Sequence, residues 1–369
     1  MSTQISKEEI FSLLKRLSEA VSPSGFEDDV REFVKDYFSR SADRVYIDSL
    51  GNVVAVKKGS RGSGKIMLAG HMDEIGLFIS HIDERGFLRA VPIGGVFERA
   101  VIFQRVLIRT RDKKILRGVI GLKPPHIAKP EEAKQVPDLR ELFIDIGASS
   151  KTEVEKLGVR VGDVAVYDRD LVMLSQDRVT GKAIDDRVGL LVVLKSFELL
   201  ENNQADVYAV ATVQEEVGLK GARTAAFSIS PDAALALDVT IASDVPGVSE
   251  HEWFTQLGKG PAIKIADGRS ASGLIANMSI VDKLVSIAQE LGIPYQMEVA
   301  AGGTTDASAI QLNKEGVPAG VISIPARYIH SPVEVIDLND VANAIRLAKG
   351  FCEKAEPEWL TKLKGYQIK

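Results

Sequence analysis

The chain has 369 residues, 45% of them hydrophobic, enough for a large core and for two domains or one domain with an insertion. Its 46 basic and 51 acidic residues are intermixed and leave a net charge of −5. Without a long basic run, nucleic acid and anionic membrane are excluded as expected partners. The single cysteine, Cys352, allows no internal disulfide and no Cys-based metal site, and fits a reducing cytoplasm. The polar, acidic start Met1-Ser2-Thr3-Gln4-Ile5-Ser6-Lys7-Glu8-Glu9 is unlike a secretory signal. The longest apolar runs, such as residues 189–194, are too short to span a bilayer.

The predicted elements begin with a helix whose capping box is Ser6 and Glu9, with Ile10, Leu13, Leu14 and Leu17 at helical spacing. Ser22-Pro23-Ser24-Gly25 breaks the chain. Ser24 and Glu27 read as a second capping box, ahead of an apolar face of Val30, Phe33, Val34, Tyr37 and Phe38. Residues 43–56 read as a hairpin turning near Leu50-Gly51-Asn52, and residues 65–70 as a buried strand that delivers His71. From Ile75 to Val166 the runs Val101-Ile102-Phe103, Val106-Leu107-Ile108 and Val119-Ile120-Gly121 read as strands, separated by turns such as Gly94-Gly95. This predicts a small β-rich module inserted in the chain, with the polar segment Lys123 to Pro137 as a mobile loop.

From Thr180-Gly181-Lys182 onward the pattern alternates. Helices are predicted at 187–200, 222–227, 274–291, 306–312 and 339–354, and strands at 207–213, 233–237, 296–299 and 319–324. Helices between short buried strands imply an α/β fold with a mixed, largely parallel sheet flanked by helices. The expected division is a discontinuous domain of residues 1–74 and 167–369, with 75–166 inserted. In such sheets ligands bind at the carboxyl ends of the strands. His71, Glu215, Glu216, Asp238 and His330 are all expected at such ends.

Those residues, with Asp185, carry the functional signal. Imidazole nitrogen and carboxylate oxygen suit zinc or cobalt, and two adjacent ions need a bridging carboxylate. Asp185 is the best bridge: a helix cap needs one Asp, and Asp185-Asp186 offers two before Arg187. Glu215-Glu216 follows an apolar strand, where adjacent carboxylates repel unless a cation is present. One could ligate while the other serves as general base. Asp238 lies in an apolar run, which is costly for an acid that is neither paired nor ligated. Asp73, two residues after His71, is placed to accept the second ring N–H of a metal-bound imidazole. His81, His126 and His251 lack this context and read as hydrogen-bonded core histidines.

Each signal alone has a plainer reading as a cap, an acidic turn or a core histidine. Their joint occurrence points to a two-metal hydrolytic site. Gly302-Gly303-Thr304-Thr305-Asp306 lacks the P-loop lysine and reads as a pocket-lining loop. No GxSxG nucleophile motif is present. Only 2 Trp and 6% aromatics argue against stacking on sugars.

In order and spacing, Gly70-His71-Met72-Asp73-Glu74, Lys182-Ala183-Ile184-Asp185-Asp186-Arg187, Val213-Gln214-Glu215-Glu216-Val217-Gly218, Leu237-Asp238-Val239 and Arg327-Tyr328-Ile329-His330-Ser331 resemble the tetrahedral, or TET, metallo-aminopeptidases. The resemblance runs from Ser22-Pro23-Ser24-Gly25 to the last helix. It implies a zinc-peptidase-like catalytic domain with two divalent metal ions per subunit, zinc or cobalt, with manganese also accepted. One ion would be held by His71, Asp185 and Asp238, the other by Asp185, Glu216 and His330. Asp185 would bridge, Glu215 would be the base, Asp73 would orient His71, and the Asp185-Asp186 peptide is expected to be cis. Residues 75–166 would be a dimerisation domain, and dimers would build a homododecamer around an inner chamber. Many members carry one Thr in the Gly-Gly-Thr-Asp loop, where this chain has Thr304 and Thr305.

The implied reaction is release of N-terminal amino acids from short peptides by a water that Glu215 deprotonates. The uncharged Val239-Thr240-Ile241-Ala242, and the similarity of residues 238–268 to leucine-preferring members, favour a neutral, leucine-like first residue. Lys264, Asp267 or Arg269 could instead line the pocket and select an acidic or basic one. A two-metal deacylase of N-acyl amino acids is the alternative, separated by whether the substrate needs a free α-amine.

Overall fold

The computed structural model describes residues 5–127, 136–175 and 177–363. Helix α1 (Lys7–Ser18) starts where the Ser6 hydroxyl accepts the Glu9 N–H at 3.1 Å, with Glu8 and Glu9 against the positive end of the helix dipole. Helix α2 (Asp28–Phe38) departs from the expected capping box. Glu27 takes the cap position without a side-chain cap bond, and the Ser24 hydroxyl turns away to Asp73. Strands β1 (Arg44–Ile47) and β2 (Val53–Lys57) form the expected hairpin, tightened by Asp48 Oδ1, which accepts the N–H groups of Leu50, Gly51 and Asn52. Strand β3 (Lys65–His71) ends on His71.

Next come β4 (Gly76–Ile82), β5 (Leu88–Ile93), helix α3 (Glu98–Val101), β6 (Arg105–Arg109), β7 (Ile115–Gly121), β8 (Phe143–Asp145), helix α4 (Lys151–Leu157) and β9 (Val164–Tyr167). The strands close into an antiparallel barrel in the order β4-β5-β8-β7-β6-β9. Leu77, Ile79, Leu88, Val106, Ile108, Ile120 and Ile144 form its own core. Val101-Ile102-Phe103, read as a strand, instead ends α3 and turns through Phe103 at φ 60°. Of the segment 123–137 read as a loop, residues 128–135 lie outside the described residues, and Pro125–Ile127 form a 3-10 turn.

The remaining chain runs β10 (Val172–Met173), β11 (Arg178–Gly181), α5 (Ile184–Glu198), β12 (Asp206–Thr212), α6 (Lys220–Ile229), β13 (Ala233–Ile241), β14 (Ala262–Ala266), α7 (Met278–Glu290), β15 (Gln296–Val299), α8 (Asp306–Ile310), β16 (Ala319–Ala326), β17 (Glu334–Asp337), α9 (Leu338–Lys354) and α10 (Pro357–Leu363). The main sheet has the order β1-β2-β12-β3-β13-β16-β14-β15. Its centre, β12-β3-β13-β16, is parallel, while β1, β2 and β14 pair antiparallel with their inner neighbours. The expected mixed, largely parallel α/β sheet is therefore present. Ile66 and Leu68 of β3 face the core shared with α1, α5 and α9, and Met67 and Ala69 face the one shared with α6. Burial on both faces explains why β3 is continuously apolar. Each fully buried Leu or Ile here contributes roughly 1.5–3 kcal/mol.

Three differences from the sequence reading bear on the site. Strand β13 continues to Ile241, so Asp238 lies within the strand, opposite Ser323, and not just past its end. Strand β14 falls in a stretch with no predicted element. Helix α7 begins at Met278, not 274, because Asn277 caps it by accepting the Ser279 N–H, while the preceding residues hydrogen-bond alongside β14. No helix of the described residues is long and apolar enough to cross a membrane.

Candidate active site

Five segments converge at the carboxyl edge of the parallel strands. Strand β3 brings His71 beside Thr212 of β12. Just past β12 the chain turns through Gln214 at φ 55° and sets Glu215 and Glu216 over the same edge. Asp238 reaches in from β13, Asp185 from the start of α5, and His330 from the β16–β17 loop. Each polar group thus sits on, or in a turn just past, a strand or helix whose apolar residues are buried.

His71 Nε2 lies 3.4 Å from Asp185 Oδ1 and 3.8 Å from Glu215 Oε2. His330 Nε2 lies 3.3 Å from Asp185 Oδ2 and 3.4 Å from Glu216 Oε2. The two oxygens of Asp185 therefore face different histidines. Donor atoms of His71, Asp185 and Asp238 lie within 4.8 Å of one another, as do those of Asp185, Glu216 and His330. Either trio could hold a metal ion, and Asp185 is common to both. His81, His126 and His251 belong to neither trio, and they are exposed where the sequence suggested core positions.

The site is overloaded with negative charge. Burial raises Glu215, Glu216 and Asp238 above the ordinary carboxylate range, and neighbouring acids push the same way. Burial also pushes Asp185 upward, but hydrogen bonds to His330 and His71 outweigh it and hold that carboxyl low. Burial disfavours charge on the imidazoles, yet the carboxylates overcome it: His71 is raised well above its usual value and His330 to about 12. Glu216 Oε1 is buried without a hydrogen-bond partner. Without a cation the raised acids and the raised histidines both favour bound protons, which offset the crowded negative charge. A divalent ion supplies the same charge, so the donor set fits one.

Around the trios lie supporting groups, of which Asp73 was expected from the sequence while the roles of Ser24, Asp186 and Glu334 were not legible there. The Asp73 carboxylate accepts the Ser24 hydroxyl at 2.6 Å and the N–H groups of Glu215 and Glu216 at 3.0 and 3.2 Å. His71 Nδ1 lies 3.1 Å from the Asp73 carbonyl and 3.5 Å from its carboxylate, so the carbonyl is the nearer partner. Asp186 does the capping work weighed for its neighbour: Oδ1 accepts the Gly189 N–H at 2.9 Å and Oδ2 the His71 N–H at 3.2 Å. The Asp185-Asp186 peptide is cis. Glu334, buried at the start of β17, accepts backbone N–H groups from Asp185 and His330. It is an acid beside the apolar Val335-Ile336, the same warning that singled out Asp238.

The trios open onto a cavity of about 670 Å³. Its walls include Leu219, Val239, Ile241 and Ile329, and the Gly302–Thr305 loop lines it as that motif suggested. Of the three charged residues considered for the pocket, Lys264 lines it, Asp267 is buried, and Arg269 is exposed and not part of the lining.

Residues 51–347 match the family model described as M42 glutamyl aminopeptidase. A solved aminopeptidase from the archaeon Desulfurococcus kamchatkensis is 62% identical, with a TM-score of 0.95 covering 98% of this chain and 99% of that one. The TET1 peptidase of Pyrococcus horikoshii, which can assemble into a tetrahedron or a large octahedral shell, is 34% identical, with a TM-score of 0.83 covering 94% and 99%. A lysyl aminopeptidase of Pyrococcus furiosus is 40% identical over 352 residues, covering 94% of this chain and 98% of that protein. With the family match spanning most of the sequence and the structural likeness spanning nearly all of it, this chain belongs to the M42 peptidase family and is a TET-type aminopeptidase.

Proposed function

We propose that this aminopeptidase removes a neutral, leucine-like residue from the N-terminus of short peptides, with two divalent metal ions and with Glu215 as general base. The observation that carries the reading is the double engagement of Asp185, one oxygen toward His71 and the other toward His330. His71, Asp185 and Asp238 would hold one ion, and Asp185, Glu216 and His330 the other. Zinc or cobalt suits these donors, and manganese is compatible. When bound, such ions supply Lewis acidity, making water more acidic and polarising a peptide carbonyl.

The chain's own residues supply the proton traffic and the positioning. Glu215 belongs to neither trio, which leaves its buried carboxylate to take the proton of the attacking water and pass it to the departing amine. Asp73 holds the Glu215 and Glu216 backbone, which keeps that carboxylate aimed. The carboxylates that line the cavity suit the substrate's α-ammonium, and the apolar Leu219, Val239 and Ile241 suit a neutral side chain.

We also assign residues 75–166 to subunit pairing and infer a homododecamer built from dimers. Phe97, Phe103 and Val119, apolar and exposed on the barrel module, support this assignment.

The test is a panel of aminoacyl p-nitroanilides with metal-stripped protein, with and without Co²⁺ or Zn²⁺, and with Glu215→Gln beside it. Metal should restore activity, fastest on leucine. Glu215→Gln should lower kcat by about 10²–10⁴-fold while retaining bound metal. Cleavage of N-acyl amino acids but of no free-amine substrate would replace this reading with a deacylase.

A further inference from the structure

The cavity carries a second charged cluster that the proposed chemistry does not use. Lys264 of β14 lines the wall, its side chain only 4% exposed, and its Nζ lies 3.8 Å from Asp267 Oδ2 and 3.9 Å from Glu298 Oε2. These are ion-pair distances, too long for hydrogen bonds. Both acids are fully buried, and neither lines the cavity itself. Each is anchored through its other oxygen. The Thr240 hydroxyl donates to Glu298 Oε1, while the Leu274 N–H (2.6 Å) and the Thr304 hydroxyl (3.3 Å) donate to Asp267 Oδ1. The oxygens turned to Lys264, Asp267 Oδ2 and Glu298 Oε2, have no hydrogen-bond partner.

The cluster shares a wall with the metal trio. Thr240 is two residues beyond Asp238 on β13, hence on the same face of the sheet, and both line the cavity together with Lys264. The ammonium stands in front and the carboxylates behind. An ammonium alone would recruit an acidic side chain, and carboxylates alone a basic one. The single ammonium offsets only one of the two carboxylates, but it stands between both of them and the cavity and screens them from it. The apolar Val239 and Ile241 beside it then decide what fits.

Building on the aminopeptidase reading, we propose that Lys264 forms a wall of the pocket for the substrate's first side chain and screens the buried Asp267 and Glu298 from it, so that the pocket accepts neutral residues in preference to basic ones. Loss of the ammonium therefore uncovers two carboxylates.

The experiment compares kcat/KM for leucyl, lysyl and glutamyl p-nitroanilides in metal-loaded wild type, Lys264→Met and Glu298→Gln. The lysyl-to-leucyl ratio should rise at least about 10-fold in Lys264→Met and should not rise in Glu298→Gln, which leaves one ammonium facing one carboxylate. Thermal shifts produced by free leucine, lysine and glutamate read the same preference without turnover. If Lys264→Met fails to fold, Lys264→Gln, which also loses the charge, decides instead. A wild type that cleaves leucine best, with a Lys264 variant whose lysyl-to-leucyl ratio stays within about twofold of it, would overturn the inference while leaving the aminopeptidase intact. A wild type that prefers lysyl or glutamyl substrates would also overturn it. A wild type that cleaves none of the three would overturn the aminopeptidase reading itself.

Discussion

One carboxylate oxygen of Glu334 accepts the backbone N–H of His330 at 2.9 Å, and its other oxygen accepts the N–H of Asp185 at 3.0 Å. A single buried side chain therefore ties the loop of one imidazole to the start of helix α5. His330 stands at φ 63°, a conformation that costs a non-glycine residue roughly 1–2 kcal/mol. The hydrogen bond from its N–H helps to hold it there.

Glu334→Ala should therefore weaken metal binding without removing a proposed ligand. Supporting groups of this kind are worth about 10–100-fold in affinity. Zinc titration of the metal-stripped protein by calorimetry would measure it. Glu334→Gln, which keeps one acceptor, should lose less, and an unchanged affinity in both variants would remove the positioning role.

Ser24 was expected to cap α2 and instead donates to the buried carboxylate of Asp73. Ser24→Ala leaves that oxygen with only the Glu216 N–H, at 3.2 Å. The expected cost is about 1–3 kcal/mol in urea unfolding, with a fall in kcat as Glu215 loses its fixed position. A cap alone would leave kcat untouched.

The loop after β5 closes over the site. A Cβ on Gly95 would lie 2.7 Å from His330 Nδ1 and 2.8 Å from Cε1, so Gly95→Ala has to displace the imidazole. We expect one equivalent of metal to bind at least about 10-fold more weakly and the other to be nearly unaffected, as read by stepwise titration. Equal weakening of both equivalents would argue against assigning His330 to one ion alone.

Away from the site, Asp340 accepts the N–H groups of Gly258 and Gly260, each at 2.7 Å. Burial outweighs those bonds and pushes its carboxyl up to about 6. The folded state then holds this proton more tightly than the unfolded chain does. The associated stability is fully present below about pH 4 and is lost as pH rises through 6, on the order of 2–3 kcal/mol. Relative to Asp340→Asn, the wild type should therefore lose stability between pH 4 and 7 in urea titrations. Parallel curves would show that Asp340 is ionised throughout.

Much of this molecule could be read from local pattern. Apolar alternation located most strands and helices, because burying a sheet on both faces demands continuous apolar strands such as β3 and β13. The acids at Glu215, Glu216 and Asp238 stood out because charge beside a buried run is costly. Short or irregular pieces were less legible. Strand β14 read as nothing, since its partners β15 and β16 are distant in sequence. The extended residues before α7 read as helix because their few hydrogen bonds to residues 265–267 are too short a pairing to leave a pattern.

What the sequence determined by itself is the set of polar residues that cannot sit where they do without a partner. Only the tertiary structure decided which partners meet. Asp185 and Asp186 are chemically alike, and it is the fold that turns one toward two imidazoles and gives the other the Gly189 and His71 N–H groups. Lys264 and Glu298 lie on different strands, and their ion pair exists only because β14 and β15 are neighbours. Local periodicity records the cost of burial for each residue. Electrostatic balance is a property of distances, and distances between remote segments are set by packing.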